Sequence, residues 1–235
     1  MYMATSTIID QTAMRLKLKD EQAYISYISA LRYLDILLQH YRPTSVIDVG
    51  CARGAWLKAC RQKGIEKLVG LDGSWTSKTD LIDKSIAFYC MDFNQPIAVP
   101  ENNRFDIALT LEVAEHLNPA SSEIFVASLC SLSDAVIFGA AYTGQGGPGH
   151  INEQPHTYWA DLFSDHGYLP YDLFRSLVWG DSEIPFWYQQ NIFLYVKQHT
   201  AASHIVSESG CQPIDNTWFM NCIHPDVLER IQAKN

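Results

Sequence analysis

The stretch Ser45-Val46-Ile47-Asp48-Val49-Gly50-Cys51-Ala52-Arg53-Gly54-Ala55-Trp56 decides the fold of this chain. Its first five residues predict an apolar strand that carries one acid. The two glycines after that strand predict a tight turn, and a helical pattern begins directly behind it. This order is typical of the rim of a parallel sheet where a nucleotide is held.

Strands and helices alternate along the rest of the chain. Further strands are predicted at 67–71, 86–91, 105–111 and 135–141, and helices at 21–41, 55–63, 119–132 and 157–166. Two last strands, at 169–174 and 191–197, leave no room for an ordinary crossover helix, so we expect an antiparallel hairpin at the edge. The pattern therefore predicts an α/β fold with a seven-stranded, mostly parallel sheet that contains one antiparallel strand.

Composition limits the class of protein. The 235 residues are 47% apolar and 18% charged, which is enough to bury a large core. The net charge of −9 disfavours a nucleic-acid partner, and the basic cluster at 15–19 is explained more simply as a solvated helix face. Six cysteines without a Cys-x-x-Cys pair indicate a reduced, cytoplasmic protein, and we find no signal peptide and no membrane span.

Acids end four of the predicted parallel strands: Asp48, Asp72, Asp92 and Glu112. The carboxyl ends of parallel strands meet at one rim, where four acids repel each other unless a ligand with several donors or a cation relieves them. A strand-end acid that only caps a helix or faces solvent is the simpler alternative. The glycine spacing is not Gly-x-Gly-x-x-Gly, and an acid before the turn repels pyrophosphate, so a nicotinamide dehydrogenase is disfavoured.

These motifs resemble those of class I S-adenosylmethionine-dependent methyltransferases. The segment 48–54 resembles the first motif, with Ala52 where glycine is usual, and 71–73, 91–93 and 105–117 resemble the next three. The resemblance implies the Rossmann-like class I methyltransferase fold, with an N-terminal helical cap (1–42), the cofactor-binding domain (43–197) and a C-terminal extension packed on it (198–235). It implies that the cofactor is S-adenosyl-L-methionine, bound by Asp48, Gly50, Ala52, Gly54, Asp72, Gly73, Ser74, Asp92, Phe93, Leu111 and Glu112.

A glycine-rich loop at 142–149 leads to the best candidate for a general base, His150. The segment from His150 resembles the Gly-His-x-Asn-Glu-Gln segment, followed by Tyr-Trp, of a subgroup of bacterial methyltransferases that often occur among enzymes modifying sugars or natural products. His116 and Glu153 are further catalytic candidates. The alternative is that all three only pack or hold the loop.

The spacing of His150, Glu153 and His156 suggests a metal site, but Pro155 interrupts any shared helix, so we expect no metal. The aromatic residues Trp179, Trp187 and Tyr188 either wall an acceptor pocket or cover the sheet edge.

We therefore expect methyl transfer to a small molecule, at oxygen rather than nitrogen. A methyltransferase acting on nitrogen or on protein is the alternative, and a non-catalytic nucleotide-binding module is a further one. The expected partner is the acceptor alone, without nucleic acid or membrane, and a homodimer stays open.

Overall fold

A computed structural model describes residues 20–100 and 104–233. The basic cluster at 15–19 therefore lies outside the described residues. The strands are β1 (Ser45–Val49), β2 (Lys67–Asp72), β3 (Ala87–Cys90), β4 (Ile107–Leu111), β5 (Ala135–Gly139), β6 (Tyr168–Tyr171) and β7 (Phe193–Lys197). The helices are α1 (Glu21–His40), α2 (Ala55–Gln62), α3 (Ser122–Leu132), α4 (His156–Asp165), α5 (Arg175–Val178), α6 (Phe186–Asn191), α7 (Ala201–Glu208) and α8 (Pro225–Ala233).

The seven strands form one sheet in the order β3-β2-β1-β4-β5-β7-β6. Neighbours from β3 to β5 are parallel, whereas β7 is antiparallel to both β5 and β6. The prediction of a mostly parallel sheet with one antiparallel strand is thereby confirmed. The order reverses between β1 and β4, which opens a crevice at their carboxyl ends.

Two apolar cores lie on the two faces of the sheet, one built with α1 and α2 and the other with α3 and α4. The central strand β1 is buried along its whole length, as expected for a parallel strand covered on both faces. Asp20 starts α1 by accepting hydrogen bonds from the first-turn amides of Gln22 and Ala23. With both faces covered, the carboxyl ends of the strands are where side chains can meet a ligand.

Several element boundaries differ from the sequence prediction: β4 and β7 begin two residues later than predicted, β5 ends two residues earlier and β6 ends three residues earlier. The helix predicted from residue 119 begins as a 3₁₀ turn (Pro119–Ser121), and the Asn118 side chain caps it by accepting a hydrogen bond from the amide of Ala120. The aromatic segment at 178–190, for which the sequence pattern predicts no helix, contains most of α6.

Residues after β7 pack back on the sheet domain. Met220 is fully buried, and its carbonyl accepts a hydrogen bond from Arg175 Nη1 at 2.8 Å. The division into three parts stays a prediction, since α1 and this segment both share cores with the sheet. Within the described ranges, no helix is both long and apolar enough to cross a bilayer.

Candidate active site

The glycine turn after β1 is held tightly against its neighbours. The amides of Gly50 and Cys51 both donate to the carbonyl of Leu71 at 2.9 Å. Gly50 has φ +88°, and a Cβ at this position would lie 2.2 Å from Cγ2 of Val113. Only glycine suits both the left-handed backbone and the close approach of Val113.

Ala52 also adopts a left-handed backbone, with φ +44°. From sequence, Ala52 is only a departure from the usual glycine of the motif. The structure shows that its left-handed backbone also carries a conformational strain of about 1 kcal/mol. Asp72 stabilises this geometry, because its carboxylate accepts hydrogen bonds from the amides of Ala52 (2.5 Å) and Gly73 (2.7 Å). Asp72 thus ties the turns after β1 and β2 together, while its predicted contact with a ribose stays a prediction.

Two adjoining cavities open at this end of the sheet, and both are lined by Gly50, Ala52 and Glu112. The larger measures about 800 Å³ and the smaller about 250 Å³. Eight of the predicted cofactor residues line the larger cavity: Gly50, Ala52, Asp72, Gly73, Ser74, Asp92, Phe93 and Glu112. Asp48 and Leu111 line the smaller cavity, whereas Gly54 lines neither and instead precedes α2.

We name this region the nucleotide rim; it consists of Asp48, Asp72, Asp92 and the Gly50 turn. The pKa values of Asp48 and Asp92 are shifted in different directions. Burial, and then the charge of Asp72, raise the pKa of Asp48 well above its usual range. Hydrogen bonds from the backbone and side chain of Asn94 lower the pKa of Asp92. A buried acid in the small cavity and an ionised acid in the large one fit a molecule with an amino group at one end and a nucleoside at the other. S-adenosylmethionine has this shape.

Glu112 stands between the cavities in a left-handed conformation, with φ +56°. Its Oε1 accepts a hydrogen bond from Asn191 Nδ2 (3.0 Å) and its Oε2 one from Gln145 Nε2 (3.1 Å). Burial raises the pKa of Glu112, and these two hydrogen bonds act against that rise. Sequence reasoning missed Gln145 and Asn191, because neither belongs to a motif and Asn191 lies 79 residues from Glu112.

The remaining polar groups form what we name the histidine rim: Glu112, Glu115, His116 and His150. Nδ1 of His116 donates to the carbonyl of Gly149 (3.2 Å), and the rings of His116 and His150 pack edge to face, 4.9 Å apart. Burial lowers the pKa of His116, which also lines the larger cavity. The two candidate histidines are therefore in contact, and His116 lies beside the predicted cofactor site.

Glu153, the third catalytic candidate, holds the glycine-rich loop. It accepts hydrogen bonds from His150 Nδ1 (2.7 Å) and from the amides of Gly144 (2.9 Å) and Gly146 (2.6 Å). His156 points elsewhere: its Nδ1 donates to the carbonyl of Met220 (2.7 Å), and burial lowers its pKa to about 4. The spaced set His150, Glu153 and His156 does not converge.

Glu115 is not among the candidates from sequence. It is fully buried at 0% exposure, and within the described residues no hydrogen bond of ordinary geometry reaches either carboxyl oxygen, although the amides of Glu115 and Ala141 lie close enough to lower its pKa slightly. Burial, and then the neighbouring Glu112, raise its pKa well above the usual range. The sequence signal is present in Glu-Val-Ala-Glu-His (112–116), which puts two acids and a histidine directly after β4.

Of the three aromatic residues considered for an acceptor pocket, Tyr188 lines the smaller cavity. Trp187 is partly buried against the core of the α1 face, and Trp179 packs against His224 at 4.9 Å between ring centroids. These contacts favour a covering role for the two tryptophans.

Comparison with known proteins shows the family and the fold of this chain. A family described as a methyltransferase domain matches residues 20–138, just over half of the chain. No curated protein sequence gives a significant match.

Several solved structures share the fold. Magnesium protoporphyrin IX methyltransferase (ChlM) from Synechocystis PCC 6803, with bound S-adenosylhomocysteine, is 17% identical (TM-score 0.57; 80% of this chain, 93% of that one). The methyltransferase of calicheamicin biosynthesis, CalO1, also with S-adenosylhomocysteine, is 15% identical (TM-score 0.52; 80% and 58%). The small RNA methyltransferase HEN1 is 13% identical (TM-score 0.54; 74% and 25%).

Proposed function

This chain belongs to the methyltransferase-domain family and is an S-adenosylmethionine-dependent methyltransferase, and from that premise we propose that it methylates a hydroxyl group of a small molecule. The single observation that carries the proposal is that His116 lines the larger cavity beside the predicted cofactor residues and packs against His150. A neutral hydroxyl needs help to lose its proton during methyl transfer, whereas an amine or a thiolate needs less.

S-adenosylmethionine supplies a methyl group on a sulfonium, whose carbon–sulfur bond breaks with its electron pair going to sulfur while the new carbon–oxygen bond forms. The work of the chain is to align the acceptor oxygen with that methyl group and to move one proton. His150 is suited to the proton, because Glu153 holds its Nδ1 and leaves Nε2 free of that bond. Glu112, fixed by two amides at the junction of the cavities, is suited to orient the acceptor.

We take the acceptor to be a small molecule of the sugar or natural-product kind, encountered in the cytoplasm. The net charge of −9 supports this over a nucleic acid, whose phosphates it would repel. Structural neighbours act on RNA, on a porphyrin and in calicheamicin biosynthesis, so the fold alone does not choose among acceptor classes.

The experiment is a methyl-transfer assay with isotope-labelled S-adenosylmethionine against four acceptor panels: sugars and phenols, amines, peptides, and RNA. We expect label only in the hydroxyl panel. Label confined to amines or peptides would replace the proposal by one of the alternatives from sequence. Tight binding of S-adenosylhomocysteine by calorimetry, with no transfer to any panel, would favour a non-catalytic binding module.

The same assay tests the role of His150. His150→Ala should lower turnover about 100-fold, the usual scale for a lost proton-transfer group, and change the affinity for S-adenosylhomocysteine less than about threefold. His204→Ala, on the exposed face of α7, is the matched control and should change neither. An equal fall of turnover and affinity would make His150 a loop anchor.

A further inference from the structure

The buried carboxyl group of Glu115 receives no hydrogen bond of ordinary geometry from the described residues, and the two amides near it, of Glu115 and Ala141, do not offset the effect of burial on its pKa. A carboxyl group removed from water without a partner is costly, and native structures rarely keep one without a reason. Glu112 increases the cost, because it places a second carboxyl group beside the first. Something positive, a proton or a cation, has to compensate at this point of the fold.

The side chains of His116 and His150 lie beside Glu115, and hydrogen bonds fix which ring nitrogen of each carries the proton. Nδ1 of His116 donates to the carbonyl of Gly149, and Nδ1 of His150 donates to the carboxylate of Glu153. A neutral histidine whose Nδ1 carries the proton offers the lone pair of Nε2. Histidines that bind metals almost always donate their other ring N–H to a carboxylate or a carbonyl in this way, which fixes the ring for the metal.

One ligand atom from each of Glu115, His116 and His150 lies within 4.8 Å of the ligand atoms of the other two. We propose that these three residues bind a divalent transition-metal ion at the edge of the larger cavity. Two imidazoles and one carboxylate are a donor set typical of Zn²⁺, Mn²⁺ or Fe²⁺ sites, and three protein ligands leave coordination positions open. This set differs from the spaced triad considered from sequence, since it needs Glu115 and excludes His156.

The inference rests on the proposed function and changes one part of it. An ion held by His116 would lie at the wall of the larger cavity, where an acceptor could reach it, since His116 lines that cavity. It would bind the acceptor oxygen and lower the pKa of the hydroxyl, so that the proton leaves to solvent without a histidine base. His116 and His150 would then be ligands, and Glu153 a positioning residue for His150.

The test uses the full chain, freed of metal with a chelator, and titrates it with Mn²⁺ followed by electron paramagnetic resonance and with Co²⁺ followed by visible absorption. Glu115→Gln keeps the size of the side chain and removes its charge, while His116→Ala removes a ligand at an exposed position. Gly147→Ala leaves all three ligands in place, but its Cβ would lie 2.3 Å from Nε2 of His150 and crowd that nitrogen. His204→Ala is the control, and S-adenosylhomocysteine binding is measured on every variant.

We expect one saturable Mn²⁺ or Co²⁺ site in the wild type and in His204→Ala, and at least about 10-fold weaker binding in the three other variants. S-adenosylhomocysteine binding should persist in all of them. Absence of saturable metal binding, or equal binding by Glu115→Gln and the wild type, overturns the metal site and points to a proton shared between Glu112 and Glu115. If S-adenosylhomocysteine fails to bind the wild type, the proposed function itself has failed.

Discussion

The nucleotide rim and the histidine rim lie side by side but are built in different ways. The acids and glycines of the nucleotide rim each belong to a strand and the turn that directly follows it, so a short stretch of sequence determines each one. The histidine rim is assembled over long distances: Glu112 is held by Gln145, 33 residues away, and by Asn191, 79 residues away. The first rim is therefore built from local strand–turn segments that hydrogen bonds between neighbouring strand ends tie together, and the second depends on how several loops pack.

This difference predicts which property of the protein changes when residues of each rim are substituted. Changes in the nucleotide rim should act on cofactor affinity and on stability, because backbone geometry and buried charge are set there. Changes in the histidine rim should act on turnover, because Glu112 and His116 line the larger cavity and His150 packs against His116. A nucleotide-rim variant that slows turnover at saturating cofactor, or a histidine-rim variant that weakens cofactor binding, would break the comparison.

The largest effect should come from Gly50→Ala. The new Cβ meets Val113 at 2.2 Å and forces alanine to a φ of +88°. Overpacking and backbone strain together should cost about 3 kcal/mol of unfolding free energy and weaken S-adenosylhomocysteine binding more than about 100-fold. Urea unfolding and calorimetry measure the two quantities.

Gly64→Ala is the matched control for this change. Gly64 has nearly the same φ, +89°, but no atom lies within 4 Å of the position that an added methyl group would take. The Gly64→Ala variant should lose only about 1 kcal/mol of unfolding free energy, from backbone strain, and should keep full cofactor affinity. If both variants behave alike, the contact with Val113 does not matter and the turn is less tightly packed than the structure indicates.

Asp48→Asn should separate stability from function within the nucleotide rim. The amide can still accept a hydrogen bond from the cofactor's amino group but carries no negative charge to pair with it, so we expect binding of S-adenosylhomocysteine to fall about 10- to 100-fold. The free protein should become more stable, because each unit by which burial raises the pKa of Asp48 costs about 1.4 kcal/mol at high pH. Unfolding of both proteins at pH 4 and pH 8 tests this.

The sign of the pH effect follows from the direction of the shift. The raised pKa of Asp48 means that the folded state holds a proton which the unfolded state releases above pH ~4, so the wild type loses stability as pH rises through that window. Asp106→Asn is the opposite control: burial raises the pKa of Asp106, but hydrogen bonds from Thr44 and Ser45 outweigh this and lower it. Asp106→Asn should therefore destabilise most near neutral pH, and an equal response at both pH values would contradict the Asp48 argument.

The sequence could predict the parts of the molecule that depend on local pattern. The predicted bounds of β1 agree with the structure to the residue, and those of β2 and α2 to within one, because hydrophobic periodicity and glycine turns act over a few positions. The sequence marks Ala52 as an exception to the motif but does not predict its left-handed backbone, since residue type alone does not determine φ. Glu115 escapes sequence reasoning because burial without a partner is visible only after β4 and the loop before α4 have packed together.

The smallest effect should come from Gln145→Met in the histidine rim. Methionine keeps the length of the side chain but cannot donate to Glu112 Oε2, so Glu112 loses one of its two amide donors. Gln189→Met is the control, since Gln189 is equally buried at 4% exposure and bonds only to the backbone of 180, 181 and 184. Both variants should lose about 1–3 kcal/mol of stability, because each leaves buried polar groups unpaired.

Gln145→Met alone should also slow turnover about 10-fold at saturating cofactor, since an acceptor held by a mobile Glu112 spends less time in line with the methyl group. Equal turnover in the two variants would mean that Glu112 supports the loop without orienting the acceptor, and the two rims would then differ in construction but not in function.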